Sequence, residues 1–341
     1  MNDTHLGAST AKLGFGFMRL PKKENNAFNM DLIKKMVDVF LAEGFTYFDT
    51  AYLYPGAEDA YSFFETSLKR TAAGYFDFYM FHALNAVNSE KAEKLGAWQF
   101  IHDLKESGKI RHFGFSFHGS PEALEIILNR HPDVEFVQLQ INYLDWNDEK
   151  VQARRCYEIA RTYGIPISIM EPIKGGLLAD TPKPIADILN SADASASSAS
   201  WALRFTASLD GVITILSGMN SLEQMYDNIA TIKNFKPLSQ NDHDIIAKVI
   251  EKYRSIPRIP CTGCRYCVDD CPQKINIPNL IDIYSDYMIY HSKVAGKDMY
   301  PVLSRKGGKA SDCIQCRTCE RHCPQEIEIA NIMKNIAKVF E

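Results

Sequence analysis

The sequence has 341 residues, 46% of them apolar and 23% charged, with a formal net charge of −4. That is chain enough for about two domains with buried cores. There is no basic surplus to hold nucleic acid or an anionic membrane, no run of 18 apolar residues to span one, and no apolar core of a signal peptide in Met1–Lys12, so a cytoplasmic protein with neither partner is expected.

Residues 13 to 232 alternate between strand and helix signals. Leu13–Arg19 is a short apolar run with two glycines and reads as a strand. Asp31–Glu43 places Leu32, Ile33, Met36, Val37, Phe40 and Leu41 at helical spacing. Gly44 ends that helix, and Phe45–Thr50 reads as the next strand. The alternation continues through helix Phe63–Thr71, strand Phe76–His82, helix Ala97–Ser107, strand His112–Phe117 and helix Pro121–Asn129. Strand Phe136–Asn142, helix Val151–Tyr163 and strand Ile167–Pro172 follow. The Ser/Ala run Ser191–Ser200 reads as an exposed lead-in to a helix at Ser200–Ser208. Strand Val212–Ser217 and a helix from Ser221 end the series.

Repeated strand–helix units predict a parallel sheet. The strands number seven, one short of an eightfold barrel. An open doubly wound sheet fits the alternation too, but no G-x-G-x-x-G joins a strand to a helix. Lys236–Gln240 breaks the pattern, Asp242–Tyr253 reads as a helix, and Ser255–Pro260 carries two prolines and reads as a hinge. The predicted division is therefore 1–235, a helical linker 236–260, and 261–341.

Eight of the nine cysteines lie between Cys261 and Cys323. Cys261, Cys264, Cys267 and Cys271, followed by Pro272, spell C-x2-C-x2-C-x3-C-P. Cys313, Cys316, Cys319 and Cys323, followed by Pro324, repeat it. Disulfides are disfavoured in a reducing cytosol, so the block points to metal. Zinc prefers two C-x2-C pairs across a longer loop, whereas three cysteines at equal steps and then C-P suit a four-iron cluster. In two-cluster ferredoxins the fourth cysteine ligates the other cluster. That predicts one 4Fe-4S cluster on Cys261, Cys264, Cys267 and Cys323, and a second on Cys313, Cys316, Cys319 and Cys271. A 41-residue insertion with helix-like Ile277–Ile289 separates the motifs. Cys156, the ninth cysteine, reads as a small buried hydrophobe.

Polar motifs close the predicted strands: F-D-T-A-Y-L-Y at Phe48–Tyr54, D-F-Y-M-F-H-A at Asp77–Ala83, G-F-S-F-H at Gly114–His118, V-Q-L-Q-I-N at Val137–Asn142, E-P-I-K-G-G at Glu171–Gly176 and L-S-G-M-N-S-L-E-Q at Leu216–Gln224. In a parallel barrel that end is the catalytic face. With L-G-F-G-F-M-R-L-P at Leu13–Pro21 and the cysteine motifs, the series resembles the aldo/keto reductase superfamily, in its members fused to a C-terminal dicluster ferredoxin. The resemblance implies that Asp49, Tyr54 and His82 are catalytic, with the Tyr54 phenol protonating a carbonyl oxygen as nicotinamide supplies hydride and His82 orienting the substrate. It implies Ser116 and Gln138 at the nicotinamide carboxamide, Gly175 and Gly176 under the pyrophosphate, and Ser217, Gly218, Ser221, Gln224 and Asn228 around the adenosine. Phe117 stands where relatives often carry Asn. No Arg or Lys falls at Met219–Ser221 to hold a 2′-phosphate, so NADP and NAD stay open.

One element of the pattern is missing. The family's tetrad includes a lysine on the third strand, which lowers the tyrosine pKa from about 10. The 27 residues between Tyr54 and His82 already supply one helix and one strand, and a further βαβ unit takes about 30 residues. Lys69 falls inside the helix. The expected fold is thus an α/β, (β/α)8 TIM-type barrel lacking one β/α unit, followed by a small α-rich dicluster ferredoxin-like domain. The expected function is an iron–sulfur oxidoreductase of aldo/keto reductase type, with a small carbonyl substrate and a redox partner protein. The alternative is an electron-transfer protein whose catalytically impaired barrel binds or docks. Hydride carries two electrons and each cluster takes one; a flavin usually mediates that change, and with no flavin motif present it is either bound without one or brought by a partner.

Overall fold

The strand signals resolve into seven parallel strands. The computed structural model describes residues 6, 11–25, 27–51, 60–149, 151–290, 294–305 and 307–341. The chain gathers into two compact units, 1–173 with 200–239, and 174–199 with 240–341. Segment 174–199, read from the sequence as part of the first domain, thus clusters with the C-terminal unit.

The first unit contains β1 (Leu13–Gly16), β2 (Tyr47–Asp49), β3 (Phe76–Leu84), β4 (Ile110–Phe117), β5 (Phe136–Gln140), β6 (Ile167–Met170) and β7 (Val212–Ser217). Helices α1 (Met30–Ala42), α2 (Ala60–Thr71), α3 (Ala86–Lys94), α4 (Ala97–Glu106), α5 (Pro121–Arg130) and α6 (Ala153–Thr162) alternate with them. After α7 (Lys183–Ala192), which belongs to the other unit, come α8 (Ser198–Ala207) and α9 (Leu222–Lys233). The helices start where capping chemistry places them. Asn29 Oδ1 accepts from Leu32 N at the head of α1, and Ser120 Oγ accepts from Ala123 N at the head of α5, with Pro121 following it. The 3.6-residue period of α1 turns Ile33, Met36 and Phe40 inward. Met36 and Phe40 join Leu13 and Phe15 of β1 and Met225 and Ile229 of α9 in one core cluster.

The sheet order is β2-β1-β7-β6-β5-β4-β3, every pairing parallel. Among the described residues the curled sheet is therefore open between β2 and β3, the place where the sequence has no room for a further β/α unit. Side chains reach across that seam, where the Tyr47 and Phe78 rings lie 5.3 Å apart. The open edge shows in burial. All six residues of β7 are buried, but of the nine in β3, mostly apolar, only Leu84 is. Gly14 is needed inside the sheet. A Cβ there would lie 2.7 Å from Leu216 Cδ2 and 3.1 Å from Tyr47 Cδ1, and no real contact is that close to a branched core residue without displacement.

The second unit is helical: α7, α10 (Gln240–Ser255), α11 (Tyr266–Asp269), α12 (Ile277–Tyr290), α13 (Val294–Leu303), α14 (Thr318–Arg321) and α15 (Ile329–Phe340). The Asp242–Tyr253 helix signal lies within α10, which packs on α7. Around the cysteines, Ile275, Ile277, Leu280 and Ile281 form one core with Ile327, Ile329, Met333 and Ile336. The Tyr300 hydroxyl accepts from Ala310 N at 2.8 Å and donates to the Glu341 carboxylate, tying α13 to the chain end. Among the described residues no helix is long and apolar enough to cross a membrane.

Candidate functional site

The two cysteine motifs, offset by 52 residues from Cys261 to Cys313, fold as structural copies. Left-handed backbone falls at the same registers: Gly263 with Gln315 (φ 69 and 56), Arg265 with Arg317 (69 and 57), and Lys274 with Glu326 (50 and 51). Hydrogen bonds match as well. Val268 N donates to Arg265 O as Glu320 N does to Arg317 O, and Cys271 N donates to Val268 O as Cys323 N does to Glu320 O. One-turn helices α11 and α14, then α12 and α15, follow at matching positions. A tight loop of this kind turns three thiols toward one volume and sends the fourth elsewhere.

Burial pushes the Cys267 thiol up to about 11, with Cys261, Cys264 and Cys323 as the charged neighbours that add to it. Burial pushes Cys319 up to about 12, and its charged neighbours are Glu320, Cys313, Cys267 and Cys271. Cys323 is thus a neighbour of Cys267 in the first triplet, and Cys271 a neighbour of Cys319 in the second, with Cys267 also near Cys319. A cavity lined by Cys271, Cys313, Cys316 and Cys319, with Ile275, Ile329 and Met333, marks the second set. Among the described residues no three His, Cys, Asp or Glu side chains close on a single metal ion. The donors suit a cube, whose ligands spread around its corners, and its iron charge would offset the cost of buried thiolates.

In the first unit Asp49, His82, Ser116, Ser217 and Gly218 fall at or near the C-terminal ends of their strands, Gln138 lies in the middle of β5, and Gln224 and Asn228 lie in α9. Asp49 closes β2. Burial raises its carboxyl from 3.8 to about 6, and among the described residues no cation offsets that burial. Beside it the Tyr47 hydroxyl is raised too, first by burial and then by the Asp49 charge, against a hydrogen bond with Ser168. Ser168 Oγ in turn donates to Gln138 Oε1 at 3.3 Å, while Gln138 Nε2 faces the Met170 sulfur at 3.7 Å. Tyr54 lies outside the described residues.

At the opposite edge, His82 precedes Ala83, whose φ is 55. Ser116 holds this turn, its buried hydroxyl accepting from Ala83 N at 2.8 Å, beside Phe81 O at 3.5 Å. The β3–β4 register shifts there, between Phe81 and Leu84. Ser116 is thus engaged in placing His82. His82 and His118 are exposed residues, yet partial burial lowers both pKa values, and the His82 charge further lowers His118. His118 was not singled out in the sequence, although it directly follows strand β4.

Of the adenosine group, Asn228 Nδ2 donates to Ser217 Oγ at 2.8 Å, both buried. Gln224 Oε1 accepts from Asn220 N, and Ser221 Oγ caps α9 by accepting from Gln224 N. A Cβ on Gly218 would meet only the stem of Arg19, at 3.6 Å and beyond. The Arg19 guanidinium stands 3.9 Å from Glu171. Gly175 and Gly176 have φ of 64 and 99 and belong to the second unit. A network missed in the sequence fixes the turn after β5. Asn142 Nδ2 donates to Asp145 Oδ2 and Glu171 O, and Gln140 Nε2 donates to the same Asp145 oxygen. Cys156 is buried, its thiol raised by burial to about 11, in keeping with a packing role.

A 4Fe-4S dicluster domain model matches residues 260–328. No curated protein sequence matches the chain. Among solved structures, the chain is similar to the holo form of an aldo-keto reductase from Bacillus halodurans, at 22% identity and a TM-score of 0.51, over 70% of this chain and 91% of that one. It is also similar to an aldo-keto reductase from Klebsiella pneumoniae in complex with NADPH, at 16% identity and a TM-score of 0.56, over 71% and 91%. At such identities the likeness is one of fold. The aldo/keto reductase family model matches residues 57–251, more than half of the sequence, and the chain belongs to the aldo/keto reductase family.

Proposed function

We propose that this iron–sulfur oxidoreductase moves single electrons through two 4Fe-4S clusters, and that its barrel binds a nicotinamide cofactor but is a weak carbonyl reductase. The crossed thiol neighbours carry the first part. Cys323 joins Cys261, Cys264 and Cys267 around one cluster, and Cys271 joins Cys313, Cys316 and Cys319 around the other, which is the ligation of two-cluster ferredoxins. When bound, the clusters accept and release one electron each.

Asp49 carries the second part. A tetrad lysine beside it would hold its carboxyl low and make a neighbouring phenol more acidic. Here burial raises Asp49 with no cation offsetting it among the described residues, and Tyr47 is raised as well. Among the described residues the Gln138 amide N–H has only a weak sulfur partner, which favours it as the contact to a nicotinamide carboxamide. Ser116, Ser217, Gly218, Ser221, Gln224 and Asn228, all in the first unit, would shape the cofactor site through the turns they hold. A flavin or a partner protein would couple hydride to the clusters. The test is a pair of assays on anaerobic protein. Cluster reduction by NADPH, with or without added flavin, should exceed carbonyl-dependent NADPH oxidation. Rapid turnover of a carbonyl panel with silent clusters would overturn the reading.

A further inference from the structure

Two copies of one motif in one chain permit an internal comparison. Between the halves the identical pairs are the four cysteines, Pro272 and Pro324, Gln273 and Gln325, Ile275 and Ile327, Ile277 and Ile329, Asn279 and Asn331, and Arg265 and Arg317. The cysteines and prolines belong to the cluster loops, and the isoleucines are buried in the core. Arg265 and Arg317 are the one identical charged pair. Elsewhere charge diverges: Asp269 faces Arg321 in register, Asp270 faces His322, Lys274 faces Glu326 and Asp282 faces Lys334.

Each arginine directly follows the exposed cysteine of its motif, Cys264 or Cys316. Each sits in left-handed backbone, where glycine is free and other residues are not. At the other left-handed registers the halves differ, Gly263 against Gln315 and Lys274 against Glu326. Packing does not explain the pair, since both side chains are exposed. Arg317 has one loose ion contact, Nε to Glu320 Oε2 at 4.0 Å, of a kind that adds little to stability. An exposed apolar side chain occurs in each loop at a different register, Tyr266 directly after Arg265 at 63% exposure and Ile314 three residues before Arg317 at 61%.

We propose that the Cys264–Tyr266 and Ile314–Arg317 loops, which share the cysteine–arginine pair, are two docking surfaces for an acidic electron-transfer protein. The guanidinium attracts the partner's carboxylates, the apolar tip is covered on contact, and the electron crosses at the adjoining exposed cysteine. The inference rests on the two-cluster reading. An arginine next to the outer ligand steers an anionic donor or acceptor to the shortest path to iron.

The test uses anaerobically reduced holoprotein in stopped flow with two one-electron acceptors, ferric EDTA, an anion, and hexaamminecobalt(III), a cation. In each reaction one electron leaves a cluster and one metal ion of the acceptor is reduced. Arg265→Gln with Arg317→Gln should slow ferric EDTA by roughly threefold per charge at low salt, as a unit charge at contact distance predicts. The salt dependence should flatten, and hexaamminecobalt(III) should react no more slowly. An acidic flavodoxin, as the protein probe, should follow ferric EDTA. Arg265→Gly and Arg317→Gly should leave the unfolding midpoint unchanged or raised. Equal slowing of both acceptors, no slowing of either, or a midpoint lowered by the glycines would overturn the proposal. Protein without two clusters' worth of iron would instead overturn the reading beneath it.

Discussion

The cysteine unit and the barrel unit both repeat a motif, and they differ in what the repeat needs in order to work. Each cysteine loop brings three donors together within seven residues, and the second loop adds only the fourth. A strand-end site needs groups from Asp49 to Asn228 to meet, and that depends on how the whole sheet curls. Among the described residues the sheet has seven strands and leaves β2 and β3 unpaired, while the cysteine loops are complete; the proposed loss of one β/α unit would take the tetrad lysine with it. On the proposed reading, chemistry encoded locally would survive a deletion that chemistry encoded by closure would not.

The largest effect that would break this contrast lies in the cysteines. Wild-type protein should carry eight irons and eight sulfides, as a dicluster domain requires. Cys323→Ser should lose about half of the iron, from the cluster that Cys261, Cys264 and Cys267 hold. Spectra in which only the Cys313–Cys319 cluster is disturbed would show that ligation is not crossed. Tryptophan fluorescence should barely change, because Trp98, Trp146 and Trp201 all lie in the barrel unit.

Next in size is catalysis. Carbonyl reduction should fall short of an intact tetrad by about 10²–10⁴-fold, the usual share of general acid–base catalysis. Tyr54→Phe should then change little, measured as carbonyl-dependent NADPH oxidation. A large loss on that substitution would mean that another cation serves Tyr54, and the two units would no longer differ as described.

Much of this was legible before any coordinates. Seven strands, the shortfall after Tyr54 and both cysteine motifs follow from spacing and period. What escaped was settled by tertiary contacts. Helix α3 (AVNSEKAEK) buries only Ser89 and is fixed by Asn85 capping Val87 N and Asn88 N, a signal too short to stand out. Ser116 matches a cofactor position by order along the chain, but its hydroxyl is engaged by Ala83 N, and no motif records where a hydroxyl points. The Asn142–Asp145 bonds join residues from β5 to Glu171 and depend on the barrel having formed.

A smaller effect would test whether the open barrel still packs as one body. Gly14→Ala places a methyl against Leu216, Thr214 and Tyr47 and should cost about 1–3 kcal/mol. The tryptophan-detected unfolding transition should shift down while cluster absorbance holds its midpoint. No shift would mean that the seam gives way and absorbs the methyl, and a joint shift would mean that the units unfold together.

The smallest effect is the most diagnostic of the missing cation. A carboxyl whose folded pKa stands above its unfolded value binds more protons when folded. Its stabilisation is full below the ordinary 3.8 and is lost as pH climbs through about 6. Asp49 should therefore make the barrel less stable as pH rises from 4 to 6. His82 and His118 act in the other direction, because a lowered histidine pKa contributes stability that is lost as pH falls through the folded value. The raw profile mixes the two, but the difference between wild type and Asp49→Asn isolates the carboxylate. By tryptophan-detected unfolding, the variant should gain on wild type across pH 4 to 6 and stay ahead above it. A difference that grows the other way, with wild type gaining as pH rises, would mean that a cation pairs with Asp49 in solution. The loss of the β/α unit would then have left the charge balance of the mouth intact, and the expectation of weak carbonyl chemistry would lose its physical basis.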